Sequence, residues 1–282
     1  MHPPLVYVIV LTWNGKADTL ECLKSLRPAL RDYPNARVLV VDNASSDGTV
    51  EAVRGEHPDV EIVVNETNLR FAGGNNAGIR HALEKGAEYV LLLNNDTVVD
   101  AEFVSHLVNA AEKDAGVGMA GPKIYYYSSP RQIWFAGGRI DWWQGWVSHV
   151  GIRQRDHGQY DAVRDVDYLT ACCVLVKKQT VERIGLLDDR YFIYGEDADW
   201  CVRAQRAGFR LVYVPSAVVW HKLSASSGGH LSWFKNWNKL KSQLRLMARY
   251  AKPYHWLTIP FVLTGKILIA LLSALRTPRT RA

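Results

Sequence analysis

Tyr89-Val90-Leu91-Leu92-Leu93-Asn94-Asn95-Asp96-Thr97 is a run of five apolar residues that stops at a polar cluster. An apolar run of this kind, bounded by turn-forming residues, reads as a strand buried on both faces with its carboxyl end near Asn94. Working back toward the N-terminus, Val60–Val64, Arg37–Val41 and Leu5–Leu11 repeat the pattern. Asp18–Leu26, Gly48–Arg54 and Asn76–Lys85 between them, and Ala101–Lys113 afterwards, carry helical spacing. Buried strands alternating with helices predict an α/β fold around a mostly parallel sheet, whose ligands gather beyond the carboxyl ends of the strands. After Gly121-Pro122 the chain turns aromatic and glycine-rich (Tyr125-Tyr126-Tyr127, Trp134–Gly138, Trp142-Trp143, Trp146), which suggests irregular strands and loops forming a lid or acceptor-binding half. A strand over Tyr168–Val176, a helix over Asp197–Ala207 and a strand over Leu211–Val214 then return to the same sheet.

Composition narrows the class. Over 282 residues, 48% apolar and 22% charged content excludes disorder, collagen and a polytopic membrane protein. Cys22, Cys172, Cys173 and Cys201 are too few for a disulfide scaffold and form no CxxC pair, so they read as reduced, intracellular thiols. The opening residues show no basic stretch and no cleavage pattern, and a cytoplasmic location is expected. The net charge of +6 is uneven: no Asp or Glu follows Asp199, and residues 200–282 hold 14 of the 34 bases, leaving residues 1–199 with 20 bases and all 28 acids. An acidic body with a basic end points to a polyanionic partner.

Three polar clusters end three of the apolar runs: Thr12-Trp13-Asn14, Asp42-Asn43 and Asn94-Asn95-Asp96. Ser45, Ser46 and Asp47 are explained by turn and cap chemistry. Asp42 is not, because it directly follows four apolar positions and a cap is already available downstream, so its carboxylate is suited to accept an N–H from a nucleotide base. No GxGxxG follows the first strand, which argues against NAD. Phe71-Ala72-Gly73-Gly74-Asn75-Asn76-Ala77-Gly78 reads as a helix entry where backbone N–H groups and the helix dipole favour an anion. Asp96 can give one carboxylate to a hard divalent cation, which bridges phosphates. Glu196, Asp197 and Asp199 open a helix; Asp199 is expected to pair with Arg203 four residues on, leaving Asp197 or Glu196 for base work.

The order Thr-Trp-Asn, Val-Asp-Asn-Ala-Ser-Ser-Asp-Gly-Thr, Asn-Leu-Arg-Phe-Ala-Gly-Gly-Asn-Asn, Asn-Asn-Asp, Tyr-Leu-Thr-Ala-Cys-Cys-Val-Leu-Val-Lys-Lys, Gly-Glu-Asp-Ala-Asp and Val-Val-Trp-His-Lys resembles family 2 glycosyltransferases of the rhamnosyltransferase-like branch, over residues 5 to 250. The resemblance implies a GT-A fold with a mixed central sheet, a dTDP- or UDP-sugar donor, Mg²⁺ or Mn²⁺, and inversion at the anomeric carbon. By motif it places Thr12, Asn14, Asp42, Asn43, Gly73, Gly74, Asn75, Asn94 and Asn95 at the donor, with Asp42 on the base and Asn94 on the ribose side. Asp96 is implied as metal ligand, His221 as a histidine that can complete the metal site, and Asp197 as catalytic base. Asn94 stands where the family usually has Asp, and Arg70 and Ala171 where it often has Gly. The QxxRW of processive synthases is missing, so transfer of one sugar is expected.

The resemblance divides the chain into a catalytic domain, 1–230, with a nucleotide-sugar half (1–120) and an acceptor half (121–230), followed by C-terminal helices over 231–282. Trp233, Trp237, Leu240, Leu244 and Met247 fall on one helical face with Lys235, Lys239, Lys241, Arg245 and Arg249 elsewhere, the composition of an interfacial helix. Residues 254–275 are apolar but carry Pro260 and Lys266, and Arg276, Arg279 and Arg281 follow. A shallow segment at an anionic membrane surface is expected rather than a span, and a lipid-linked saccharide acceptor would explain it. A catalytically silent nucleotide-sugar-binding scaffold is the rival reading, and self-association is an alternative use of the apolar end. Nucleic acid is not expected, since the stretch from Leu257 suits lipid better.

Overall fold

The computed structural model describes residues 2–223, 233–262 and 264–265, with backbone alone at 233–236. The four apolar runs form β1 (Val6–Thr12), β2 (Ala36–Asp42), β3 (Glu61–Val64) and β4 (Tyr89–Asn94), all parallel. Helices α1 (Lys16–Asp32), α2 (Thr49–Glu56) and α3 (Arg70–Glu84) connect them. Helix α1 runs beyond the predicted Leu26 and carries Pro28; Cys22, Leu23, Leu26 and Ala29 supply its buried stripe.

Helix α3 begins at Arg70, not at Asn76 as the spacing predicts, and encloses the glycines expected to precede it. Glycine costs a helix interior about 1 kcal/mol relative to alanine, so propensity alone places the boundary too late. Packing decides otherwise. A Cβ on Gly74 would stand 2.4 Å from Leu11 Cδ1, and one on Gly78 2.6 Å from Ile9 Cγ2 and 2.8 Å from Val41 Cγ2. The missing side chains let α3 lie close on β1 and β2.

The chain continues through β5 (Thr97–Val99), α4 (Phe103–Glu112), β6 (Val117–Tyr126), β7 (Ser129–Phe135), β8 (Gly138–Asp141), β9 (Trp146–His149), β10 (Arg164–Asp165), β11 (Cys173–Lys177), α5 (Lys178–Ile184), α6 (Glu196–Arg206) and β12 (Arg210–His221). The main sheet has the order β10-β12-β6-β11-β4-β1-β2-β3, with β5 on β12 and β7 on β6; β8 and β9 form a separate hairpin. Strand β11 is antiparallel to both neighbours, so the sheet is mixed, as in a GT-A fold. The strand predicted over Tyr168–Val176 is confined to Cys173–Lys177, because residues 168–172 cross the sheet's carboxyl edge before turning into β11. Strand β12 outruns the predicted Leu211–Val214: a register shift between Val214 and Val218, at Pro215, lets it continue to His221.

Helix α7 (Trp233–Tyr250) docks on this body through Ser242, Leu246, Met247 and Tyr250, all buried. The single apolar face expected from spacing is therefore divided: Met247 is in the core, while Trp237 and Leu244 are exposed. The side chains of Trp233 and Lys235, and residues 266–275, lie outside the described residues. Among the described residues no helix is long and apolar enough to cross a membrane.

Candidate active site

Strand register brings the polar clusters together. Thr12 is the partner of Asp42 across β1 and β2, and Asn94 that of Leu11 across β1 and β4. Because β11 runs opposite to β4, its entry Thr170-Ala171-Cys172 meets the same edge, where the Asn94 N–H donates to the Cys172 carbonyl at 2.8 Å. The end of β12 joins from the far side, as Lys222 N donates to the Asp96 carbonyl at 2.9 Å. The Lys222 ammonium grips Asp18 (2.7 Å) and Glu21 (2.6 Å) of α1, fixing the strand end.

Asp197 lies in the first turn of α6, half-buried among three donors. Tyr168 Oη donates to its Oδ2 at 2.7 Å, Ala171 N donates to Oδ2 at 3.3 Å, and Ala198 N donates to Oδ1 at 2.9 Å. Burial raises the Asp197 carboxyl above its ordinary value, and these hydrogen bonds oppose that rise. Glu196 is raised as well, by burial first and then by the charge of Asp197. Two adjacent carboxyls, one buried and one half-buried, do not ionise together at low cost, and the hydrogen bonds select Asp197 as the charged member. Asp199 takes no part: Arg203 holds it at 2.8 Å, as the spacing predicts, and Arg249 of α7 adds a second guanidinium at 2.9 Å.

At the other end of the crevice, His221 Nε2 stands 3.1 Å from Asp96 Oδ1, both residues being buried. Burial alone would lower His221; Cys172 and Asp96 outweigh it and carry it up to about 10. Among the described residues there is no group of three or more His, Cys, Asp or Glu able to hold a metal. One carboxylate, joined by the imidazole once the ion has displaced its proton, does fit a divalent ion whose remaining ligands are diphosphate oxygens and water, since such ions keep few protein ligands when they bind phosphates.

Three buried side-chain atoms have no hydrogen-bond partner among the described residues: Asp42 Oδ2, Glu196 Oε2 and His221 Nδ1. Buried polar atoms are rarely left so. All three belong to this edge. Asp42 is fully buried, with Oδ1 accepting from Ser45 N at 2.8 Å, while Oδ2 has no partner among the described residues.

Other residues expected at the donor are engaged within the protein. Thr12 Oγ1 and Thr19 Oγ1 share a 2.8 Å hydrogen bond, and Asn95 Nδ2 reaches both at 3.3 and 3.1 Å. Asn14, in the left-handed region at φ 49°, ties two loops: its N–H donates to Ser45 Oγ (2.8 Å) and its Oδ1 accepts from Ser46 N (2.7 Å). Asn43 bonds Arg70 O, Asn65 and Asn68, and Asn75 bonds Phe71 O within α3. Gly74 is accounted for by its contact with β1, and a Cβ on Gly73 would meet Leu69 Cβ at 2.9 Å. The close backbone approach expected of both glycines is thus made to the protein's own side chains. Asn94 ends β4 half-buried. Arg70 holds φ 61°, which suits glycine, and its guanidinium lies 4.0 Å from the Phe192 ring.

Sequence reasoning missed Tyr168 as the partner of Asp197 and the aromatic wall behind it. Trp134 meets both His149 and His221 edge-on at 4.6 Å, and Phe135 and His149 each pack 5.9 Å from the Tyr168 ring. Burial pushes His149 down to about 4, so it is neutral packing material here. The signal was the aromatic density after Gly121, without any indication of which ring turns inward.

A profile of the family described as "Glycosyltransferase like family 2" matches residues 3–249. The N-acetylglucosaminyl-diphospho-decaprenol L-rhamnosyltransferase of Mycobacterium tuberculosis is 28% identical over 242 residues, covering 78% of this chain and 77% of that protein. The dTDP-rhamnosyl transferase RfbF of Shigella flexneri is 25% identical over 231 residues, covering 79% and 70%. Among solved structures, GalNAc-T7 with UDP, GalNAc and Mn²⁺ superposes with TM-score 0.70 at 17% identity over 90% of this chain, which spans about half (49%) of that one. The mannosyltransferase PcManGT of Pyrobaculum calidifontis, in complex with GDP-Man and Mn²⁺, gives TM-score 0.65 at 20% identity over 99% of this chain and 77% of that one. Both show the GT-A-like fold. The family match runs from the first strand almost to the end of α7 and encloses every element on which the crevice is built, and the chain therefore belongs to glycosyltransferase family 2.

Proposed function

We propose that this glycosyltransferase moves one sugar, with inversion, from a nucleoside-diphosphate donor to a hydroxyl of a saccharide or lipid-linked saccharide acceptor in cell-surface glycan synthesis. The observation that carries the reading is the hydrogen-bonded, half-buried carboxylate of Asp197 on the same strand edge as Asp42 and Asp96. The acceptor oxygen bonds to the anomeric carbon as the bond from that carbon to the diphosphate oxygen breaks, and the acceptor proton passes to Asp197. One displacement inverts the centre and needs no covalent enzyme intermediate. Asp42 orients the base of the nucleotide through its unpartnered Oδ2. Asp96 and His221 would hold Mg²⁺ or Mn²⁺, which when bound neutralises charge on the leaving diphosphate. The rhamnosyltransferases among the relatives favour a dTDP-linked rhamnose donor, and we place the reaction at the cytoplasmic face of a membrane, where a lipid-linked acceptor would be met.

The test is Asp197→Asn, with transfer followed by nucleoside diphosphate release and donor binding by calorimetry. Transfer is expected to disappear while donor binding persists. Near-wild-type turnover would remove Asp197 as the base and leave Glu196 in its place.

A further inference from the structure

The hairpin β8–β9 and the segment that follows α7 meet far from each other in sequence. Thr258 Oγ1 donates to the Trp143 carbonyl at 2.5 Å, the Trp143 and Tyr254 rings lie 5.5 Å apart, and Gly145, at φ 60°, lies so close to the fully buried Ile259 that an added Cβ would stand 3.2 Å from its Cγ1. His255 is buried between Tyr254 and the hairpin's Trp143, at ring distances of 4.4 and 5.1 Å, with Lys252 N donating to its Nδ1 at 3.1 Å. On this fixed frame the protein exposes Trp143 (51%), Tyr254 (45%), Trp256 (37%), Leu257 (70%) and Phe261 (79%). Five large apolar side chains shown from two packed segments form a surface that a monomer in water does not favour.

We propose that this surface docks on an anionic lipid bilayer, its Trp and Tyr rings at the headgroups and Leu257 and Phe261 in the acyl boundary. Three observations select lipid over a protein partner. The amphipathic aromatics are those of membrane interfaces. On the C-terminal segment the charge is of one sign: no acidic residue follows Asp199 in a stretch with 14 bases, and Lys252 lies beside the patch with Nζ 5.8 Å from the Tyr254 ring, while the hairpin's Asp141 accepts from Gln144 N. Beyond the described residues, the sequence continues as Lys266-Ile267-Leu268-Ile269-Ala270-Leu271-Leu272-Ser273-Ala274-Leu275-Arg276, the same apolar and basic chemistry beginning five residues after Phe261. The contact differs from the one the helical spacing of α7 suggests. That helix is held on the body, with Arg249 on Asp188 and Asp199 and Ser242 on the Ile193 carbonyl, so its Met247 face is not available to lipid. The proposal is independent of donor and acceptor identity.

The test is co-sedimentation of the full chain with vesicles of phosphatidylcholine alone and of an equimolar mix with phosphatidylglycerol. Wild type is expected to bind the anionic vesicles, more weakly in salt but still measurably, because the apolar contribution is not screened. The double variant Leu257→Ser/Phe261→Ser is expected to lose about tenfold or more in partitioning, on the scale of two apolar side chains withdrawn from lipid. Donor hydrolysis in solution, which reads on the proposed reaction, stays at the wild-type rate. Wild type that ignores anionic vesicles at low salt, or a double variant that binds them undiminished, overturns the assignment. So does a wild-type dimer that dissociates in the double variant without any vesicle binding, since a second copy would then be the occupant.

Discussion

Replacing Tyr168 with phenylalanine removes one oxygen and keeps the ring that packs against Phe135 and His149. The lost group is the 2.7 Å donor to Asp197 Oδ2, which retains only the longer 3.3 Å contact from Ala171 N on that oxygen. A hydrogen bond to a charged group contributes about 1.5–3 kcal/mol, which corresponds to roughly one to two pKa units of preference for the ionised form. Burial already raises Asp197 and the Tyr168 hydrogen bond lowers it, so its removal sends the carboxyl further up. A base works only when ionised, so the acid limb of kcat/KM moves toward higher pH by roughly one to two units. Below the limb the variant is about 10- to 100-fold slower; above it, the rate recovers toward wild type. Neighbouring Glu196 is raised as well, by burial first and then by the charge of Asp197, so the limb belongs to the pair, while Ala198 N still fixes the carboxylate at 2.9 Å. The assay is nucleoside diphosphate release across about pH 5–9. A variant slowed equally at every pH, with its limb in place, would refute the reasoning and leave Tyr168 a packing residue.

Asp96→Ala is expected to abolish the metal-dependent part of donor affinity, by at least the roughly tenfold loss that even an outer-shell partner brings; equal donor affinity of the wild type with and without EDTA would remove the ion from the mechanism. Gly78→Ala gains about 1 kcal/mol of helix propensity but drives a Cβ to 2.6 Å from Ile9 and 2.8 Å from Val41, an overpacking worth about 1–3 kcal/mol. The melting temperature is therefore expected to fall, and a rise of several degrees would show that α3 has room to move off the sheet. Arg249→Met takes one of two guanidinium partners from the fully buried Asp199, which keeps Arg203 at 2.8 Å and the Tyr250 hydroxyl at 2.7 Å; a loss of about 1–3 kcal/mol is expected in denaturant titration, and an unchanged midpoint would mean that α7 is docked by its apolar contacts alone.

The strands were legible because β1, β2 and β4 are buried on both faces and read as unbroken apolar runs. Strand direction was not: a run such as Cys173–Lys177 looks the same whether it lies parallel or antiparallel, and only the path of residues 168–172 over the sheet edge sets it against β4. The i,i+4 pair Asp199–Arg203 could be read from spacing, whereas Arg249, fifty residues along, could not. The crevice divides along the same line. Asp42 and Asp96 stood out as acids at the ends of apolar runs; Asp197 remained beside Glu196 once Asp199 was paired with Arg203, and the choice between those two, like His221, came from the motif resemblance. Thr12, Asn14, Asn43, Asn75 and Asn95 stood beside them in the same motifs, yet hydroxyls and amides tie loops as readily as they bind ligands, and here each has a partner in the protein. Residue type reveals the capacity for a hydrogen bond, and only three dimensions reveal whether it is already satisfied. By that measure the amide and hydroxyl residues tie the loops of this edge together, while Asp42 keeps an oxygen without a partner among the described residues, Asp197 is held by three donors and Asp96 faces His221, and the proposed reaction draws on these groups.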